Sequence, residues 1–202
     1  DRTKSCSIVT DPEMFRVSGE AFGKFQRQLA DFPVHTLHES IRRFHDTPNR
    51  FANFAAALKA DALGRAGDAR EEIRFVLERE EFTHLLMDQL KAGRIPLRCT
   101  HNDTKTNNLL LDEDTGKAVC VIDLDTVMPG LAAYDYGDSI RFGANPAAED
   151  EKDLSKVRFS VDLFTAYTQG FLSQVGDTMD KAERDSLLIG AKMMTLECGM
   201  RF

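Results

Sequence analysis

The densest set of reactive side chains lies in THNDTKTNNLLLDEDTGKAVCVIDLDTVMPG, from Thr100 to Gly130. His101, Asp103 and Asn108 are spaced H-x-D-x-x-x-x-N, and Asp123 follows at the end of the apolar run VCVI. Phosphoryl transfer draws on such a set: one carboxylate positions and deprotonates an acceptor hydroxyl, while an amide oxygen and a second carboxylate hold Mg²⁺ on the phosphates. Asp103 suits the first role, and Asn108 and Asp123 suit the second. Lys105, two residues past Asp103, puts a cation where charge develops on the transferring group. Each residue also has a plainer reading. A lone aspartate in a loop is usually a turn former, and His101 can be a packed core histidine. Asn107 competes with Asn108 for the amide role, the five-residue spacing selecting Asn108. Asp125 divides evenly among metal support, substrate contact and solvation of a strand end. The carboxylates Asp103, Asp123 and Asp125 also admit a metal-dependent hydrolase, although no histidine-rich ligand set accompanies them.

Short elements must hold these groups. The runs IPLRCTHND, NNLLLDED and KAVCVIDLD are brief and apolar, split by turn signals such as DEDTG, and predict small strands and loops. Elsewhere the texture is helical. Thr10 to Phe32 carries apolar residues at helical spacing after an Asp-Pro start, weakened by Gly19 and Gly23. Thr47-Pro48 caps a second helix closed by Gly64, and Ala69 to Ala92 predicts the longest helix, ended by Gly93. Further helices are expected in DYGDSIRFG, over Asp153 to Val175, and over Asp180 to Phe202, with the charge run Glu149 to Asp153 as an exposed helix start. Phe22, Phe25, Phe51 and Phe54 fall on helical spacing and read as core. Asp138 and Arg141 read as a surface pair on one helix face, worth little. The expected architecture is α+β and mostly helical, a helical body around a small β insert.

Composition bounds the rest. The 202 residues suffice for one sizeable core, and the net charge of -7 argues against a surface devoted to nucleic acid or anionic lipid. No apolar run approaches a membrane span, and DRTKSCSIVTD has neither an initiator Met nor the form of a signal peptide, so the chain is expected to begin inside a longer gene product. Cys6, Cys99, Cys120 and Cys198 show no CxxC pair or zinc spacing, which points to structural thiols in a reduced, cytoplasmic setting.

HNDTKTNNLLLD is similar to the H-G-D-x-x-x-x-N-x-L loop of the aminoglycoside phosphotransferase and choline kinase superfamily, relatives of the protein kinases, with Asn102 where Gly is usual. VIDLDTVMPG resembles that superfamily's I-D-x-[DE] strand and turn. With YDYGDSIRFG and AAEDEKDLSKV behind it, the run looks like the bacterial N-acetylhexosamine 1-kinase branch. The resemblance implies a catalytic loop at 100–109 and a metal-binding strand and turn at 119–130. Asp103 would be the base, Asn108 and Asp123 the Mg²⁺ ligands, and Lys105 a phosphate or sugar contact. Asp135 would be a buried carboxylate accepting N–H bonds from the catalytic loop, His101 structural, and Arg201 a sugar or phosphate contact, unless it is a solvated terminal charge. The implied reaction moves the ATP γ-phosphate to the anomeric hydroxyl of a small-molecule sugar. No β-rich ATP-covering lobe is legible before Thr100, so residues 1–202 are expected to form the C-terminal lobe alone, a severed lobe being prone to self-association. An inactive pseudokinase lobe is the other class the resemblance leaves open.

Overall fold

A computed structural model of the chain describes residues 2–201, so Phe202, the expected end of the last helix, lies outside them. The chain is 56% helical. Strand β1 (Thr3–Lys4) precedes helix α1 (Pro12–Gln28), which begins where the Asp11 carboxylate caps the Glu13 N–H. Helix α2 (Thr47–Ala60) is capped by Asp46, one residue before the expected Thr47-Pro48 start. Next come α3 (Arg70–Leu77), α4 (Glu80–Lys91), β2 (Arg98–Thr100), β3 (Leu109–Asp112), β4 (Ala118–Val121) and β5 (Met128–Gly130). Helices α5 (Ala132–Gly143), α6 (Val161–Val175) and α7 (Lys181–Arg201) complete the chain.

Two helix pairs form the body, α1 against α6 and α5 against α7. Phe15, Tyr136, Tyr167 and Phe171 fill the core between them, each at most 2% exposed. Burying one such aromatic contributes roughly 1.5–3 kcal/mol. Gly19 and Gly23, expected to weaken α1, instead let it approach α6: a Cβ on Gly19 would stand 2.4 Å from the Tyr167 carbonyl oxygen. The cost of glycine in a helix is offset by the close backbone contact it permits.

The strands form two small antiparallel sheets. One has the order β1-β3-β4, its β3–β4 hairpin closed by a turn in which the Asp112 carboxylate accepts the Asp114 and Thr115 N–H groups. Leu109 and Leu111 seat this hairpin on Phe22 of α1. The other sheet pairs β2 with β5, Thr100 opposite Met128.

Three sequence expectations change. The helix expected over Ala69 to Ala92 is two, α3 and α4, broken at Glu78 and Arg79. The break serves packing, since Val76 joins Phe51 and Leu196 while Leu86 joins Ile95 and Met193, and one straight stripe does not face both clusters. The longest helix is therefore α7, with 21 residues. The helix expected from Asp153 begins only at Val161, with the Ser160 hydroxyl as its cap. The segment Glu149 to Asp153 starts no helix, because the Asp153 carboxylate accepts the Ser155 N–H and hydroxyl and closes a local turn.

Candidate active site

The β2–β5 ladder ends where the loop Thr100 to Asn108 begins, and its tightness depends on Gly130: a Cβ there would lie 2.2 Å from Thr100 Oγ1 and 2.7 Å from Asn102 Oδ1. Beneath the loop sits Asp135, fully buried on α5. Its Oδ2 accepts the His101 N–H at 3.0 Å and Gln26 Nε2 at 2.8 Å, and its Oδ1 accepts the Asn102 N–H at 2.7 Å. Burial raises the carboxyl above the ordinary aspartate range, opposed by the His101 ring and these N–H donors. The Thr104 hydroxyl donates to the Asp135 carbonyl, and Ser139 Oγ donates to the Thr104 carbonyl, so α5 grips the loop on both sides of Asp103.

His101 is a buried brace whose two nitrogens have distinct duties. Nδ1 accepts the Asp103 N–H at 3.3 Å, which leaves the proton on Nε2 to reach the Ile122 carbonyl at 2.9 Å. The same strand end is tied a second time, the Ile122 N–H donating to the Asn108 carbonyl at 2.9 Å. Asp123 follows directly with φ of +61°, on an exposed turn beside the loop.

Asn102 adopts φ of +64°, a left-handed backbone that suits the glycine usual at this motif position. Asparagine tolerates it and adds bonds: Nδ2 donates to the Thr126 carbonyl at 3.0 Å, and Oδ1 accepts the Thr100 hydroxyl at 3.0 Å. The substitution therefore fastens the loop to the turn Leu124–Thr126.

Asp103 emerges from this frame partly exposed. Asn108 Nδ2 donates at 2.8 Å both to its carbonyl and to its Oδ2, and Lys105 Nζ stands 3.4 Å from its Oδ1. Asp103 and Lys105 line a cleft of about 770 Å³ with Asn107, His45, Arg50, Asp138, Arg141, Phe142, Glu197 and Arg201 among its walls. Arg201 also donates to Cys198 Sγ at 3.9 Å. Asp123 and Asp125 stand on the exposed neighbouring turn and do not line this cleft; the Asp125 carbonyl accepts the Ser40 hydroxyl.

A family model described as the APH phosphotransferase enzyme family matches residues 8–166, from before α1 into the first turns of α6, including the whole catalytic loop and the strands beside it. The chain belongs to this family. Membership implies kinase-type phosphoryl transfer from ATP, typically with a divalent metal.

The donors of this phosphotransferase fit such a metal. Asn108 turns its Nδ2 to Asp103, and its amide oxygen, with the Asp123 carboxylate on the adjoining exposed turn, would hold such an ion. No group of three or more His, Cys, Asp or Glu gathers as a closed metal cage among the described residues. Mg²⁺ takes few protein oxygens and completes its shell with phosphate and water.

The sequence reading of Asp138 and Arg141 as a surface pair is corrected. Their side chains are 6% and 11% exposed, the guanidinium bonding Asp138 Oδ1 at 2.9 Å and Glu149 Oε1 at 2.7 Å. Asp138 Oδ2 is buried without a partner. Burial raises this carboxyl, Arg141 lowers it, and Asp103 raises it again. Sequence reading also missed His45, Arg50 and Glu197, which come from the segment leading into α2, from α2 itself and from α7. Nothing in their local spacing marks them; only the crossing of α2 and α7 brings them together.

Proposed function

We propose that this phosphotransferase transfers the γ-phosphoryl group of ATP to a hydroxyl of a small polar molecule, and that this molecule is an N-acetylhexosamine phosphorylated at its anomeric hydroxyl. The reading is carried by one observation: a partly exposed Asp103 carboxylate in the wall of a large polar cleft, held by Asn108 and flanked by Lys105 at 3.4 Å. In this role Asp103 orients the acceptor hydroxyl and takes its proton, and Lys105 offsets charge on the transferring group. Asn108 and Asp123 hold Mg²⁺, which neutralises charge on the phosphates when bound. Arg201, on the cleft wall, would bond sugar or phosphate oxygens. The choice of N-acetylhexosamine rests on the likeness of the run from Thr100 to Gly130, with YDYGDSIRFG, to that kinase branch. The net charge of -7 supports a small-molecule acceptor over nucleic acid. The described residues contain no β-rich lobe to cover ATP, and we place that part elsewhere in the polypeptide.

The test is ³¹P NMR of the polypeptide containing this chain with Mg-ATP and a panel of N-acetylhexosamines, beside Asp103→Asn. A sugar 1-phosphate signal is expected, with kcat lower by about 10²-fold or more in the variant, the scale of losing a general base. Equal turnover in the variant would remove Asp103 from the mechanism. Transfer only to other alcohols would replace the acceptor.

A further inference from the structure

His45 lies just before α2, its side chain 9% exposed, with both ring nitrogens facing acceptors. Nδ1 stands 2.7 Å from Glu197 Oε1 on α7, and Nε2 stands 3.1 Å from the Asn102 carbonyl oxygen, in the peptide bond that leads into Asp103. A carbonyl carries no proton, so Nε2 must donate. Glu197 is held as a carboxylate, because Oε1 also faces Arg50 Nε at 3.2 Å and Oε2 accepts the Thr47 hydroxyl at 2.6 Å. Nδ1 must therefore donate too. His101 is the internal contrast, one nitrogen accepting an N–H and the other facing a carbonyl.

We propose that His45 is a positioning residue for the transfer reaction: a doubly protonated strut between Glu197 and the Asn102 carbonyl that holds the Asn102–Asp103 peptide, and with it the base, in place. The groups around the ring favour its charge on balance. Glu197 on α7 and Asp138 on α5 attract it, Asp138 itself being paired with Arg141. Arg50 on α2 opposes it but shares Glu197. Tyr134 and Phe44 pack against the ring at 5.1 Å and 4.4 Å between centroids. Burial alone would lower the imidazole, yet the Glu197 bond and charge, the Asn102 carbonyl and Asp138 together raise it.

The sign of the pH dependence follows. A group whose folded value is raised stabilises fully below its unfolded value, about pH 6.5 for histidine, and that contribution is lost as pH climbs through the raised one. Neutral His45 keeps its remaining proton on Nδ1, against the stronger carboxylate acceptor, and gives up the Nε2 bond to the Asn102 carbonyl, so the Asp103 peptide is released from one side.

The experiment follows the ¹⁵N signals of the His45 ring and of the Asp103 amide, which belongs to the strut's own peptide, from pH 5.5 to 9 in the polypeptide containing this chain, with kcat measured over the same range. The strut predicts two ring N–H groups at pH 7.5, an Asp103 amide shift that titrates with the ring, and a kcat that falls at alkaline pH. In His45→Gln the Asp103 titration and the alkaline limb disappear, and kcat drops roughly 10- to 100-fold, the scale of misplacing a reacting group by about 1 Å. A neutral ring at pH 7.5, or an Asp103 amide indifferent to its titration, overturns the proposal, and an alkaline limb unchanged in the variant overturns its catalytic role. The NMR arm requires neither the variant to fold nor any acceptor to be known. The kinetic arm alone rests on the proposed function: a charged, coupled strut without phosphoryl transfer would sink that reading and leave the strut standing.

Discussion

Asn102 shows how much one side chain contributes to the catalytic loop. Its N–H goes to Asp135, its carbonyl to His45, its Nδ2 to Thr126 and its Oδ1 to Thr100, all from a left-handed backbone. Glycine there keeps the backbone without strain but abandons the side-chain bonds, whereas alanine abandons them and adds the left-handed penalty of about 1–2 kcal/mol. Asn102→Ala should therefore lower stability more than Asn102→Gly, the gap being of that size. Urea unfolding of the two variants checks the order, and the reverse order would show that the left-handed backbone angle is not what limits the position.

Among the elements, α5 links the catalytic loop to the helical body. Its first turns hold the loop through Asp135, and its opposite side meets α7 so closely that Cβ atoms have no room: one on Gly190 would lie 2.0 Å from the Ala133 carbonyl oxygen, and one on Gly137 2.4 Å from the Gly190 carbonyl oxygen. The obstacle in each case is backbone, which does not rotate away as a side chain would. Gly190→Ala should cost about 1–3 kcal/mol or more through overpacking. It should also disturb the Asp103 amide signal, because α5 is displaced along with Asp135. Thermal unfolding and an amide spectrum measure the two effects. A variant as stable as the parent would mean that the α5–α7 spacing is softer than the close backbone contact implies.

Across the whole molecule, stability should be uneven. The pairs α1–α6 and α5–α7 carry the largest buried cluster, while 34–43, 61–69 and 146–160 are mostly exposed turns with few backbone partners outside themselves. Amide hydrogen exchange should be slowest in α1, α5, α6 and α7 and fastest in those three segments, with the catalytic loop on the protected side because α5 and β5 hold it. Fast exchange at His101 and Asn102, whose N–H groups donate to a buried carboxylate, would show that the loop opens independently of the core. No helix among the described residues is long and apolar enough to cross a membrane.

The features legible in the amino-acid order are those whose signals are local. The H-x-D-x-x-x-x-N spacing, the DEDTG turn between two apolar runs and the amphipathic helices all rest on interactions a few residues apart, so they were legible, and the phosphotransferase family followed from them. Helix boundaries were less legible where packing overrode the periodic stripe, as at Glu78, or where a short polar turn replaced a helical one, as at Asp153. The remainder was decided by the tertiary structure. The Asp138–Arg141 pair became buried because α5 is enclosed by the cleft wall and by α7, which i,i+3 spacing alone does not reveal. His45 met Glu197 and the peptide before Asp103 only because α2 crosses α7, a contact between residues 152 positions apart that no local pattern encodes.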